Sequence, residues 1–319
     1  MINMKPIKIA ILMDDIKDIK PHKDSSLAMA LEASRRHWNI YTFDSHDLFA
    51  QAGQVFATCA KTQVFDNAEH WYEKAPEITM NLAEFDVILM RKDPPFDMNY
   101  IYATYFLEQA ENKGVLVVNK PQSLRDANEK LFALNFPNCL ANTLVSSNQD
   151  QLHQFINEQG IGVVKPLDGM GGKDIFKLTK GDSNINEVLE YLTQNSTTPI
   201  MAQEFLPEIA QGDKRILLIN GKPINYALAR MPAKGSFKGN LAAGATGVGQ
   251  PLSDRDRYLC EQIAPTLKAK GLMFVGLDVI GDYITEINVT SPTCIRELDE
   301  QFGLNIAGTL FDEIEQALN

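Results

Sequence analysis

The sequence predicts a chain of two textures, α/β in its first third and α+β beyond it. Short continuous apolar runs alternate with helical stretches up to about residue 120. After Pro121, strand-like segments broken by glycine loops pair as antiparallel hairpins. The 319 residues also exceed what one hydrophobic core usually serves, so two or three lobes are expected.

Each element has its own reason. Residues 8–13, Lys-Ile-Ala-Ile-Leu-Met, run into Asp14 and Asp15, which reads as a first strand rather than a signal peptide. Residues 25–36 form a helix that Asp24 or Ser25 caps. Strands follow at 39–43, 86–90 and 115–118, with a helix at 99–113 stopped by Gly114. Continuous apolar runs of this kind suit a parallel sheet covered on both faces. Residues 124–136 read as a helix ended by Pro137, and 148–159 as one ended by Gly160. Strands at 161–165, 175–178, 215–219 and 224–229 complete the second texture, and the change falls near 120–125.

Composition narrows the function. With 41 acids against 30 bases the formal charge is −11, which disfavours nucleic acid and anionic membrane surfaces. No run exceeds about five apolar residues, far short of a membrane-spanning helix. Four cysteines without C-x-x-C spacing give neither a disulfide framework nor a thiolate zinc site, and they point to a reducing, cytosolic compartment. The last histidine is His153, so the second half holds no histidine-based triad or metal site.

Asp168-Gly169-Met170-Gly171-Gly172-Lys173-Asp174 is the densest glycine signal. Strands on both sides make it a hairpin tip, not a loop that opens a helix, so neither a Walker loop nor a dinucleotide fingerprint is present. Such a tip can cradle phosphate through backbone N–H groups, with Lys165 beside it. A flexible tip with a solvated lysine is the plainer alternative.

Residues 274–289 read as a second hairpin around a Gly281-Asp282-Tyr283 loop. A three-residue loop sets Asp278 opposite Glu286 and Gly276 opposite Asn288, with Val275, Leu277, Val279, Ile287 and Val289 on the buried face. A two-residue turn would split the carboxylates. Three oxygen-bearing side chains on one face suit hard Mg²⁺; a solvated polar face is the alternative.

Between Asp213 and Asn240 stand six bases and one acid, a local +5 that leaves −16 for the remainder. Gathered positive charge suits an anionic small molecule, and Arg215 and Arg230 sit on or at the end of strands. Residues 231–250 hold five glycines without periodicity and read as a lid, or as a tolerated surface insertion. Phosphates, Mg²⁺, arginines and a lid make phosphoryl transfer the natural reaction class, and it needs no protein nucleophile.

Four segments together carry a resemblance: Met90-Arg91-Lys92-Asp93-Pro94-Pro95-Phe96-Asp97, Asn119-Lys120-Pro121-Gln122-Ser123-Leu124-Arg125, Lys165-Pro166-Leu167-Asp168-Gly169-Met170-Gly171-Gly172, and Glu286-Ile287-Asn288-Val289-Thr290-Ser291-Pro292-Thr293-Cys294-Ile295-Arg296-Glu297. Nearly end to end, the chain resembles the prokaryotic glutathione synthetases, which are ATP-grasp ligases. The resemblance implies an ATP-grasp fold behind an N-terminal Rossmann-like α/β domain, with lobes at 1–122, 123–206 and 207–319. It implies ATP-dependent joining of γ-glutamylcysteine to glycine through an acyl phosphate, in a homo-oligomer (dimer or tetramer). ATP would meet Lys130, Lys165, Gly169, Met170, Gly171 and Gly172, then the hinge Gln203-Glu204-Phe205-Leu206, with Asp213 on the ribose side or a local partner. Asp278, Glu286 and Asn288 match ligands for Mg²⁺ (or Mn²⁺), and Arg215 and Arg230 match the arginines at the transferred phosphate and acyl groups. Lys238, Asn240, Ser291, Thr293 and Arg296 fall in substrate loops. Lys238 stands where the family pattern has arginine, and Ala245 where a second glycine is frequent. Two rivals remain, another ATP-grasp carboxylate–amine ligase and an ATP-binding protein without turnover.

Overall fold

In the computed structural model, which describes residues 6–239 and 244–319, three sheets organise the chain. The first holds β1 (Lys8–Leu12), β2 (Asn39–Phe43), β3 (Leu48–Gln51), β4 (Gln54–Val64), β5 (Tyr72–Lys74), β6 (Ile78–Asn81), β7 (Val87–Met90) and β8 (Leu116–Val118). β1 lies parallel between β2 and β7, and β7 is parallel to β8, as the apolar runs require. Helices α1 (Ser25–Arg35) and α2 (Met98–Glu111) cover opposite faces, so Ile9 and Ile11 enter one core while Ala10 and Leu12 enter the other. Asp24 caps α1 through the Leu27 N–H at 2.6 Å. The stretch between β2 and β7 adds antiparallel strands that the apolar runs did not announce. β4 alternates buried and exposed side chains and pairs with β2, β3, β5 and β6.

The helix expected over 124–136 is instead α3 (Pro121–Asp126), a break, and two 3-10 turns. The break has a cause on either side. Asn128 Oδ1 accepts the N–H groups of Lys130 and Leu131, and Ile287 N–H donates to the Glu129 carbonyl at 2.8 Å. Local polar competition and a sheet partner outweigh helix propensity.

The second sheet is fully antiparallel, with β9 (Thr143–Ser146), β10 (Ile161–Pro166), β11 (Phe176–Thr179) and β12 (Ile200–Glu204) in the order β11-β10-β12-β9. Helices α4 (Gln149–Gln159) and α5 (Ile185–Thr193) close a separate small core of Leu152, Ile156, Val164, Leu178, Leu189 and Ile200. Of the stretch 123–206, the part before this sheet packs elsewhere: Leu124, Ala127, Phe132 and Cys139 belong to the main core.

The third sheet runs β15-β14-β13-β16-β17, from β13 (Asp213–Ile219), β14 (Lys222–Met231), β15 (Thr246–Pro251), β16 (Phe274–Ile280) and β17 (Tyr283–Asn288), flanked by α6 (Asp254–Ala269), α7 (Ile295–Phe302) and α8 (Ile306–Leu318). Buried Asn119 joins it to the first sheet, donating to the carbonyls of Phe274 and Val289 and accepting the Phe274 N–H. Two expectations are corrected here. Of residues 231–250, read as loop, the stretch from 246 lies in an edge strand, Thr246–Pro251, where a Cβ on Gly249 would stand 2.3 Å from Phe302 Cε2. The β16–β17 hairpin has a two-residue turn, with Ile280 opposite Tyr283, yet Asp278 still faces Glu286. A β-bulge that adds Thr285 restores the register the turn would have broken.

Candidate active site

Asp278, Glu286 and Asn288 share one face of the β16–β17 hairpin, while Val275, Leu277, Val279, Ile287 and Val289 are wholly buried on the other. The neighbouring strands supply cations by register. Arg215 on β13 is opposite Asp278, and Arg230 on β14 is opposite Asp213. Arg215 grips both Asp278 oxygens, with Nη2–Oδ2 at 2.9 Å, and Arg230 Nη2 reaches the same Oδ2 at 2.9 Å. Glu286 Oε1 lies 3.5 Å from Lys130 Nζ and 3.6 Å from Lys165 Nζ. All of these charges except Glu286 are at most 8 % exposed, so they persist because they are paired.

The electrostatics divide the carboxylates. Burial raises the Asp278 carboxyl, but Arg215 and Arg230 overcome it and hold the group well below the usual range. Burial likewise opposes ionisation of Glu286, and Lys130 and Lys165 outweigh it. Asp213 goes the other way, pushed up to about 6 by burial despite Arg230, and its Oδ1 has no partner among the described residues. Burial also lowers the Lys165 ammonium. At 5 % exposure Lys165 is not a solvated lysine, which removes the plainer reading of the glycine hairpin.

Two clefts meet at Glu286. The first is an apolar slot between the second and third sheets, walled by Val163, Ile175, Leu206, Ile209 and Ile284. Lys165, Gln203, Glu204, Phe205, Asp213 and Lys238 also line it. β12 leaves its sheet after Glu204, the last residue paired with β10, so Phe205 and Leu206 turn along the slot. The glycine hairpin stands over the junction, held from two sides. Lys130 Nζ donates to the Gly169 carbonyl at 2.8 Å and Lys238 Nζ to the Gly172 carbonyl at 2.7 Å. Gly171 and Gly172 take φ of 64° and 80°, which glycine alone adopts without strain.

The second cleft has Arg215, Arg230, Asn288, Ser291, Thr293 and Cys294 on one wall, with Met170 and Gly171 at its edge. Its opposite wall comes from the first lobe and was not foreseen: Asp14, Asp24 and Asp93, with Lys20 and Lys23. Glu129 was also missed. Burial raises its carboxyl, and Thr290 Oγ1 donates to Oε1 at 2.8 Å. Nothing in local spacing marks these residues, because only the tertiary fold gathers them.

Not every expected residue arrives. Arg296 turns away into a separate cavity and pairs with Asp66 at 2.6 Å. Asn240 lies outside the described residues. The basic island also disperses. Lys214 pairs with Asp256, Lys222 with Glu313, and Lys234 is exposed away from both clefts, leaving Arg215, Arg230 and Lys238 at the clefts.

The comparisons with known proteins cover the chain in two pieces. The prokaryotic glutathione synthetase N-terminal domain matches residues 7–125, and the prokaryotic glutathione synthetase ATP-grasp domain matches residues 129–303. Among curated relatives, the glutathione synthetase of Pseudomonas syringae pv. tomato is 56% identical over 312 residues, 98% of each chain. That of Vibrio vulnificus is 52% identical over the same share. Among solved structures, the D-cycloserine synthetase DcsG superposes with a TM-score of 0.68 at 12% identity over 98% of this chain and 100% of its own. The ATP-grasp ligase PsnB, complexed with minimal precursor, Mg and ADP, gives 0.62 at 16% identity over 98% of each chain. At such identities these two speak for the fold alone.

Proposed function

The chain belongs to the prokaryotic glutathione synthetase family and performs ATP-dependent glutathione synthesis, and from that premise we propose how its two clefts divide the reaction. The observation that carries the proposal is the position of Glu286, a carboxylate flanked by two lysines where an apolar slot opens into an arginine-walled cleft.

ATP occupies the slot, with adenine against the Gln203–Leu206 segment and its phosphates under the glycine hairpin beside Lys130 and Lys165. Asp278, Glu286 and Asn288 fit a hard divalent cation, because they set side-chain oxygens on one face of the hairpin, the Asn288 amide nitrogen donating to the Gly276 carbonyl. We assign Mg²⁺, with Mn²⁺ as an acceptable substitute. When bound, such a cation neutralises phosphate charge and aligns the nucleotide. γ-Glutamylcysteine lies in the second cleft, its cysteinyl carboxylate toward Arg215 and Arg230, with Ser291 and Thr293 alongside. A carboxylate oxygen attacks the γ-phosphorus, the bond to the β-phosphate oxygen breaks, and ADP and an acyl phosphate result. Glycine's amine then attacks the acyl carbon, phosphate leaves, and the amine loses a proton as the amide forms. Arg215 and Arg230 offset the charge that builds on the transferred group. The glycine hairpin and Lys238 keep water from the acyl phosphate.

A substrate panel read by phosphate release tests the assignment. Release is expected only with ATP, a divalent cation, γ-glutamylcysteine and glycine together. Silence with that mixture and release with another acid–amine pair establishes the rival ligase, and silence throughout the protein without turnover. We further propose lobes at 1–122, 123–206 and 207–319, with the stretch from Leu124 to Cys139 packed into the main core, a homo-oligomer measurable by solution mass, and a cytosolic location in keeping with four free, buried cysteines.

A further inference from the structure

The hairpin made by β4 and β5 lines neither cleft, yet it touches both walls of the second one from behind. Thr62, Gln63 and Val64 pair with Lys74, Glu73 and Tyr72, and the Phe65 N–H donates to the Trp71 carbonyl at 2.9 Å. The tip between Phe65 and Trp71 keeps its shape through its own contacts. Asn67 Oδ1 accepts the Glu69 N–H at 2.8 Å, and the His70 ring stacks on that of Phe65 with centroids 5.1 Å apart. A tip so organised can brace the segments it grips.

Its first grip is on residues 14–24, the run between β1 and α1. Asp14, Asp15, Asp18, Lys20, Lys23 and Asp24 of this run line the second cleft. No helix or strand stiffens it, and its ends are tied locally, Asp14 to Lys92 and Asp24 to the first turn of α1. The middle depends on the hairpin. Trp71 Nε1 donates to the Ile16 carbonyl at 2.8 Å, and Ile16 is itself wholly buried. Lys74 Nζ adds a contact with Asp15 at 3.4 Å, which solvent weakens. The second grip is on the opposite wall. Asp66, at the hairpin tip, holds Arg296 in the first turn of α7, just after Cys294.

We propose that the β4–β5 hairpin braces the second cleft from outside, and that Trp71 is the positioning residue that pins residues 14–24 to it. The indole N–H bonds a main-chain carbonyl, so it fixes the path of the run rather than one side chain. Trp71 meets none of the reacting groups, because Arg215, Arg230 and Glu286 stand on strands of the third sheet. Affinity for the acid substrate therefore depends on Trp71, while affinity for ATP and the rate of bound substrate do not. Linkage supplies the converse: if the pinned run binds the acid better, the bound acid holds Trp71 more firmly. The kinetic and fluorescence arms of the test rest on the dipeptide reading above. A hydrogen-exchange arm does not.

The experiment uses the full chain with Trp71→Phe, which deletes the indole donor and keeps an aromatic ring, and with Asp66→Asn. Trp71→Phe is expected to raise KM for γ-glutamylcysteine about fivefold, the scale of one neutral hydrogen bond, with kcat and KM for ATP held within about twofold. Asp66→Asn shifts the dipeptide constant in the same direction by less, because the pair it weakens is exposed on the Asp66 side. Trp38 is the only other tryptophan, so a Trp38→Phe background leaves the emission of Trp71 alone. Acrylamide quenching of that emission should fall with the dipeptide bound and stay unchanged with ADP and Mg²⁺. Without any ligand, amides in peptides covering residues 14–24 should exchange about fivefold faster in Trp71→Phe, while β1 and α2 keep their protection. Exchange that quickens throughout the chain means general destabilisation and overturns the proposal, as does a run 14–24 that exchanges as in wild type. A faster run with an unchanged dipeptide KM makes Trp71 a residue of the fold alone and overturns it too. KM values for ATP and dipeptide that rise together do the same. Should Trp71→Phe not fold, the quenching arm decides, and emission indifferent to the dipeptide overturns the proposal. If wild-type protein releases no phosphate with the dipeptide, the substrate reading fails by itself and the exchange arm still judges the hold on residues 14–24.

Discussion

Glu286 joins the two clefts, and its substitution separates chemistry from folding. Glu286→Gln keeps the volume and the bulged register but removes the charge that Lys130 and Lys165 face. Metal-dependent turnover is expected to fall at least about 100-fold while the circular dichroism spectrum remains that of the folded chain, with melting lowered because buried Lys130 and Lys165 lose their counter-charge; undiminished turnover takes Glu286 out of the metal site. Asp213 gives a pH signature of definite sign. Its folded pKa of about 6 lies above the ordinary 3.8, so the folded state holds that proton more tightly. Its contribution to stability is full below about 4 and is lost as the pH rises through 6. Asp213→Asn abolishes that loss, so its stability relative to wild type should climb by up to about 3 kcal/mol between pH 4 and 7 in urea melts. A flat difference across that range would show that Asp213 titrates normally. The shared face of Asp278, Glu286 and Asn288 could be read from the sequence even with the loop length misjudged, because they lie in one hairpin and the bulge at Thr285 offsets the shorter turn. Glu129, Asp24 and Asp93 could not, because their company is assembled from segments far apart in the chain.

At the scale of elements, what glycine does depends on what approaches it. Gly249 looked like loop because it lacks a side chain, whereas it lies in a strand under Phe302, whose ring stacks 3.8 Å from that of Tyr226. Gly249→Ala must displace a ring that is already packed, at a cost of about 1–3 kcal/mol in a denaturant titration. If stability is unchanged, the close approach is relieved by local shifts. The glycine hairpin is different, since its glycines serve backbone angles and carbonyl contacts. Lys238 clamps that hairpin to the segment after β14, so Lys238→Met should loosen the cover over the phosphates. KM for ATP is expected to rise roughly fivefold, and more than one phosphate should appear per glutathione because water reaches the acyl phosphate. Parallel assays of phosphate and thiol product measure the ratio, and a ratio of one with unchanged KM denies the clamp a role. The same contact explains how a lysine serves here: a single carbonyl needs one donor, not a fork.

Across the whole molecule, local pattern foretold the parallel strands of the first sheet and the hairpins of the others, but not how the lobes share cores. The break at Asn128–Lys130 overrode a helical pattern because its partners, Ile287 and Gly169, lie in two other sheets' territory. That arrangement places four cations around the two carboxylates expected to bind metal, and this bears on assembly of the active complex. A divalent cation arriving alone must compete with Arg215 and Arg230 for Asp278, and with Lys130 and Lys165 for Glu286, and it gains only three protein oxygens. Nucleotide phosphates change the balance, because they supply further oxygen ligands and negative charge for the lysines to face. Metal and nucleotide should therefore stabilise the fold synergistically. At about 100 times its Kd, ADP with Mg²⁺ should add about 2.7 kcal/mol, seen as a raised Tm, whereas Mg²⁺ alone at the same concentration should add almost nothing. ADP with chelator should fall between. The comparison needs only a thermal scan of the full chain under four conditions, with ionic strength matched so that screening does not mimic binding. If Mg²⁺ alone matched the pair, the carboxylates would be open to metal before nucleotide arrives, and the competition by the four cations would be too weak to order the binding.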